Sequence, residues 1–213
     1  MWTKICGILD EQTARAVAKL GPDAIGLNFY GPSPRRVEIS HAADIVNTVG
    51  SQVLPVGLFV NHSLVEIREI CRQCQITTIQ LHGDETPEFL SELSEFRILR
   101  AFRIGPAGLD PVFEYLEQCN WLKVPIWACL IDAAVPGQYG GSGVTVDWRR
   151  LAAEYSVESL PPLILAGGLT ADNVTDAIQT VQPWGVDVAS GVEVSRGVKD
   201  LGLVEKFIRA TVR

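Results

Sequence analysis

Leu130-Ile131-Asp132, Gly140-Gly141-Ser142-Gly143 and Asp147-Trp148 are successive parts of one stretch, residues 130–148, and their reading decides the fold. An apolar strand delivers a carboxylate, Asp132, at its end. The chain then passes through glycines, where missing side chains let backbone N–H groups approach an anion. Asp147 is placed to cap the helix that follows. Strand, glycine loop and capped helix make one βα unit.

The same unit recurs from end to end. Apolar runs predict strands over 2–6, 24–29, 53–60, 77–81, 98–104, 126–131, 163–166 and 186–189. Helical periodicity falls between them, over 13–20, from a Ser40 cap through Val49, and onward from Asn61 or Ser63. Further helices are expected over 86–93 with Pro87 in the first turn, 111–119, 148–155, 170–180 and 199–212. Strands buried on both faces and alternating with amphipathic helices imply a parallel sheet. Eight units within 213 residues, with no linker-like break, predict α/β architecture: a single-domain (β/α)8 TIM barrel spanning 1–213. A doubly wound open sheet is the alternative, but it would carry a glycine-rich turn where strand one ends in Lys4-Ile5-Cys6-Gly7.

Composition narrows the partners. A formal net charge of −7 argues against nucleic acid and against a polybasic membrane contact. No apolar run reaches bilayer-spanning length, and the five cysteines are odd in number without a secretory leader before them. A reduced, cytoplasmic enzyme is expected, as a monomer or homodimer. Cys71-Arg72-Gln73-Cys74 lacks a second ligand pair and falls on an apolar helical stripe with Leu64 and Ile67, so both thiols are expected in the core. No metal cluster or nucleotide loop is present in the sequence, and no cofactor is implied.

Active sites of such barrels lie at the C-terminal ends of the strands. Alternation puts Lys4 and Cys6 on one face of strand one, and Gln80 and His82 on one face of strand four. Asp132 and Asp187 oppose apolar neighbours in strands six and eight. These polar groups therefore converge on the barrel mouth. Glycine turns form a second set: Gly141-Ser142-Gly143, Gly167-Gly168 and Ser190-Gly191 offer N–H groups to a phosphate. Arg35, after Ser33-Pro34, offers a planar fork to a carboxylate. His41 and His62 sit at helix starts and are read as structural.

Together these motifs resemble the phosphoribosylanthranilate isomerase family of tryptophan biosynthesis. The resemblance runs through Lys4-Ile5-Cys6-Gly7, Ser33-Pro34-Arg35, Gly57-Leu58-Phe59-Val60-Asn61, Gln80-Leu81-His82-Gly83 and Asp187-Val188-Ala189-Ser190-Gly191-Val192-Glu193. It implies an Amadori rearrangement of a phosphoribosyl aminoaldose, with Asp132 as acid, Cys6 as base, Arg35 on the anthranilate carboxylate, and the glycine turns with Ser190 on the phosphate. Lys4, His82, Asp187 and Glu193 are implied as further site residues. The chemistry requires the Asp132 pKa to rise and that of Cys6 to fall, the latter helped by Lys4. Ala189, Val144, Asn28 and the turn Val194-Ser195-Arg196-Gly197 depart from the family pattern. Another phosphosugar barrel, such as an epimerase or a thiamine-phosphate-synthase relative, and a non-catalytic phosphoribosyl binder are the competing readings.

Overall fold

The computed structural model describes residues 1–105, 108–133, 146–155 and 159–212. Its elements in chain order are β1 Trp2–Cys6, α1 Glu11–Lys19, β2 Ala24–Asn28, α2 Ile39–Val49, β3 Leu54–Phe59 and α3 Leu64–Cys74. There follow β4 Thr78–Leu81, α4 Pro87–Ser91, β5 Arg97–Ile104, α5 Asp110–Trp121, β6 Ile126–Ala133 and α6 Trp148–Glu154. The chain ends with β7 Leu163–Leu165, α7 Val174–Val181, β8 Gly185–Val188, a 3-10 turn Ser190–Val192, β9 Glu193–Ser195, β10 Val198–Lys199 and α8 Leu201–Thr211. Strands β1 to β8 pair in order and in parallel, and β8 closes on β1 with Lys4 beside Asp187. This is the (β/α)8 barrel.

Alternation along each strand divides the core in two. Outward-facing Ile5, Ile25, Phe59, Ile79, Ile98, Ile131, Leu165 and Val186 join the apolar stripes of the helices in one cluster. Inside the barrel, Leu99, Ala101, Ala128, Leu130, Ile164 and Ala166 fill the half lined by β5 to β7. The N-terminal end is stopped by three tryptophans: Trp2 stacks on Trp184 at 5.1 Å, and Trp127 meets both edge-on. The polar strand ends are therefore confined to the opposite mouth.

Local chemistry sets the helix starts. Ser63 and Glu66 form a reciprocal capping box on α3, and Asp147 accepts a bond from Arg150 N to cap α6. Helix α2 differs from expectation. Ile39 packs on the core and is already helical, so Ser40 lies inside the first turn and Glu38 is the cap residue, without a side-chain bond. Helix α7 begins at Val174 because Asn173 is engaged in the preceding turn, accepting from Thr170 N and donating to Gly168 O. The hairpin β9–β10 was not anticipated. Cys71 and Cys74 are both buried in the core, and burial holds the Cys71 thiol up at about 12. No helix among the described residues is long and apolar enough to cross a membrane.

Candidate active site

β1 delivers Lys4 and Cys6 to the inner face, where both are buried. The Lys4 ammonium donates to Asp187 Oδ1 at 2.9 Å across the β1–β8 seam. Burial acts against the charged ammonium, but Asp187 and Cys6 outweigh it and raise the Lys4 pKa. The tips of Lys4 and Cys6 share the space above Gly26 of β2: a methyl there would lie 2.6 Å from Cys6 Sγ and 3.1 Å from Lys4 Nζ. The strand needs a glycine at this point.

The expected fall in the Cys6 pKa is not what the site produces. Burial pushes the thiol upward, and the opposing pull of Lys4 and Lys199 does not overcome it. Reading Lys4 as an activator caught the right neighbour but omitted the larger effect, removal of the sulfur from water.

β4 delivers Gln80 and His82. Gln80 Nε2 and His82 Nδ1 lie 3.1 Å apart. Burial, with Arg100, Arg103 and Lys4 nearby, lowers the His82 pKa to about 3, so the imidazole is neutral. Its Nε2 approaches Asp132 Oδ2 at 3.7 Å, too far for a hydrogen bond and, with a neutral ring, no ion pair. Among the described residues the buried Nε2 has no hydrogen-bond partner. The loop after β4 is pinned from outside the barrel, where Arg100 donates to Leu81 O, Gly83 O and Glu85 Oε2. Neither Arg100 nor Glu85 was singled out in the sequence. Their separation along the chain hid the pair.

Asp132, buried at the end of β6, lines one cavity with Gly167, Gly168, Asp187, Ser190 and Gly191. Gly167 and Gly168 hold φ of +82° and +62°, a conformation open to glycine. A Cβ on Gly191 would run into Leu169 O, so the turns after β7 and β8 meet backbone to backbone at this point. Gly141, Ser142 and Gly143 lie outside the described residues, as does Val144.

Arg35 stands on the opposite rim. Asn28 donates to Ser33 Oγ, which also accepts from Arg35 N, so this polar departure in β2 shapes the loop. The guanidinium donates from Nε and Nη2 to the two carboxylate oxygens of Glu193, each at 2.8 Å. Nη1 makes no hydrogen bond among the described residues, and the fork is held with that edge unused. A Cβ on Gly7, at φ +83°, would lie 2.7 Å from Arg35 Cδ. His41 and His62 remain outside this constellation; His62 Nδ1 accepts from Val60 N. No group of three or more His, Cys, Asp or Glu side chains among the described residues could hold a metal.

A parallel (β/α)8 barrel with a thiol, carboxylates, a guanidinium and glycine turns at its C-terminal mouth has the groups of an acid–base enzyme acting on a small substrate. The family model for N-(5′-phosphoribosyl)anthranilate isomerase matches residues 3–210. The chain belongs to that isomerase family. It is 41% identical over 207 residues to the N-(5′-phosphoribosyl)anthranilate isomerase of Geobacter sulfurreducens, covering 97% of this chain and 96% of that one. The solved phosphoribosylanthranilate isomerase of Thermotoga maritima superposes with a TM-score of 0.83 at 31% identity, covering 98% and 97% of the two chains. A third relative, an isomerase solved with reduced 1-(o-carboxyphenylamino)-1-deoxyribulose 5-phosphate, gives a TM-score of 0.80 at 29% identity over 98% of this chain and 96% of that one.

Proposed function

We propose that this isomerase converts N-(5′-phosphoribosyl)anthranilate into 1-(2-carboxyphenylamino)-1-deoxyribulose 5′-phosphate, with Asp132 as general acid and Cys6 as general base. Asp132 gives a proton to the ring oxygen as the bond from C1 to that oxygen breaks, and the anilino nitrogen lone pair closes the Schiff base. The Cys6 thiolate removes the C2 proton, leaving an enol-amine that tautomerises to the ketone. The sequence is redox-neutral and consumes no co-reactant.

The observation that carries this reading is that Asp132 shares its cavity with the Gly167-Gly168 and Ser190-Gly191 turns. A phosphate held there by backbone N–H groups places the ribose beside the acid. Gly141, Ser142 and Gly143 are proposed to complete that cradle. Arg35 receives the anthranilate carboxylate on the other rim, through the edge that Glu193 leaves open. Lys4 and Asp187 hold charge around Cys6, and His82 faces the acid.

The test follows the fluorescence of phosphoribosylanthranilate, made in situ from anthranilate and phosphoribosyl pyrophosphate. Wild-type protein is expected to accelerate its decay, with Cys6→Ala and Asp132→Asn each slowed by about 100-fold or more. Decay no faster than the spontaneous rate with wild-type protein removes this reading in favour of a non-catalytic binder. A cytoplasmic location rests on the biosynthetic reaction. A homodimer is the alternative to a monomer, since one Thermotoga maritima relative is described as dimeric with monomeric variants; light scattering decides between them.

A further inference from the structure

The hairpin after β8 gives the site an unexpected connection. Lys199, at its end, has a side chain only 1% exposed. Its ammonium donates to Ala189 O at 2.8 Å and to Glu193 Oε1 at 2.8 Å. Glu193, 3% exposed, in turn grips Arg35 through both carboxylate oxygens. Ala189 immediately precedes the Ser190-Gly191 turn. A continuous hydrogen-bonded path therefore runs from the turn after β8, through Lys199 and Glu193, to the guanidinium after β2. The hairpin is also seated on the Arg35 loop: Gly197, at φ +85°, approaches so closely that a Cβ would lie 3.0 Å from Pro34 O.

Charge gives the path a second consequence. Arg35 and Glu193 alone cancel, and a neutral pair has little net attraction for a carboxylate. Lys199 adds a cation to the same buried cluster and leaves it positive.

Resting on the function proposed above, we infer that Lys199 is a positioning residue for the substrate's two anionic ends. Through Glu193 it fixes the span between the phosphate turn and the Arg35 clamp, and it keeps that clamp net positive. Asn28 and the hairpin turn contact the same loop, Asn28 through Ser33 and Gly197 beside Pro34 O.

The test is a double-mutant cycle read as KM and kcat in the fluorescence-decay assay, with inhibition by inorganic phosphate as a separate arm. Lys199→Met is expected to raise KM by about tenfold in the wild-type background and by about threefold in an Arg35→Met background, where only its hold on the Ala189 carbonyl remains. Its kcat is expected to change much less than its KM, and Lys199→Arg is expected to recover most of the affinity. Phosphate inhibition is expected to weaken in Lys199→Met, because the Ala189 carbonyl loses its anchor. If Lys199→Met does not fold, Lys199→Gln is read in the same cycle, since its amide can still donate a hydrogen bond but carries no charge. An unchanged KM, or effects that simply multiply in the double variant, overturns the inference. Wild-type protein without turnover would instead remove the function on which it rests.

Discussion

The ammonium of Lys4 lies 2.9 Å from Asp187 Oδ1, with the lysine side chain fully buried and the aspartate 10% exposed. This pair joins the first and last strands of the barrel and sets a cation beside Cys6. A buried pair of this kind contributes less through its own attraction than through what its loss exposes. Removing one partner strands the other's charge and typically costs about 3–5 kcal/mol.

Lys4→Met is therefore expected to weaken catalysis through the thiol. Cys6 must lose its proton to act as base, so kcat/KM rises with pH through the Cys6 pKa. Burial already raises that pKa, and Lys4 is the largest opposing influence. Without it the ascending limb should move to higher pH, with a clear loss of kcat/KM at neutral pH. The pH profile of the variant is the measurement, and an unmoved limb would show that another group sets it.

Gly26→Ala tests the packing above β2. The added methyl would sit 2.6 Å from Cys6 Sγ and 3.1 Å from the Cys6 backbone, so the thiol has to move. Displacement of a reacting atom by about 1 Å can cost about 100-fold in rate. A loss of kcat is expected with a much smaller change in thermal midpoint. Wild-type kcat in this variant would sink the placement of Cys6 as base.

His82 links stability to acid. Its folded-state pKa, about 3, lies below the ordinary value of 6.5, so the unfolded chain binds the proton more readily between those limits. The stability that this neutral imidazole contributes is fully present above 6.5 and is lost as pH falls toward 3. Over that window the slope should approach about 1.4 kcal/mol per pH unit from this group. Urea titrations at a series of pH values should show a shallower acid loss in His82→Gln than in wild type. Equal slopes would contradict the assignment of a neutral, buried ring.

The strands and their polar ends were legible because the signal is local. Alternation has a period of two, so Lys4 with Cys6, Gln80 with His82, and Asp132 after Ile131 could be assigned to the inner face from neighbours alone. Helix starts were less secure. Of the two starts open for α3, Asn61 and Ser63, it is Ser63 that caps, and Asp147 caps α6 as expected, whereas Ser40 was displaced by the pull of Ile39 into the core. The hairpin at 193–199 was illegible, since its strands are too short to show any periodicity.

What the sequence determined by itself is the barrel, the parity of each strand and the set of groups delivered to one mouth. Each follows from side-chain spacing over a few residues. Only the tertiary structure decided which of those groups pair. Lys4 reaches Asp187 across 183 residues, and Arg35 reaches Glu193 across 158, because closure of β8 on β1 brings the chain ends together. It also decided the proton affinity of Cys6. A neighbouring lysine can be read from two positions away, but the burial that outweighs it belongs to the whole barrel.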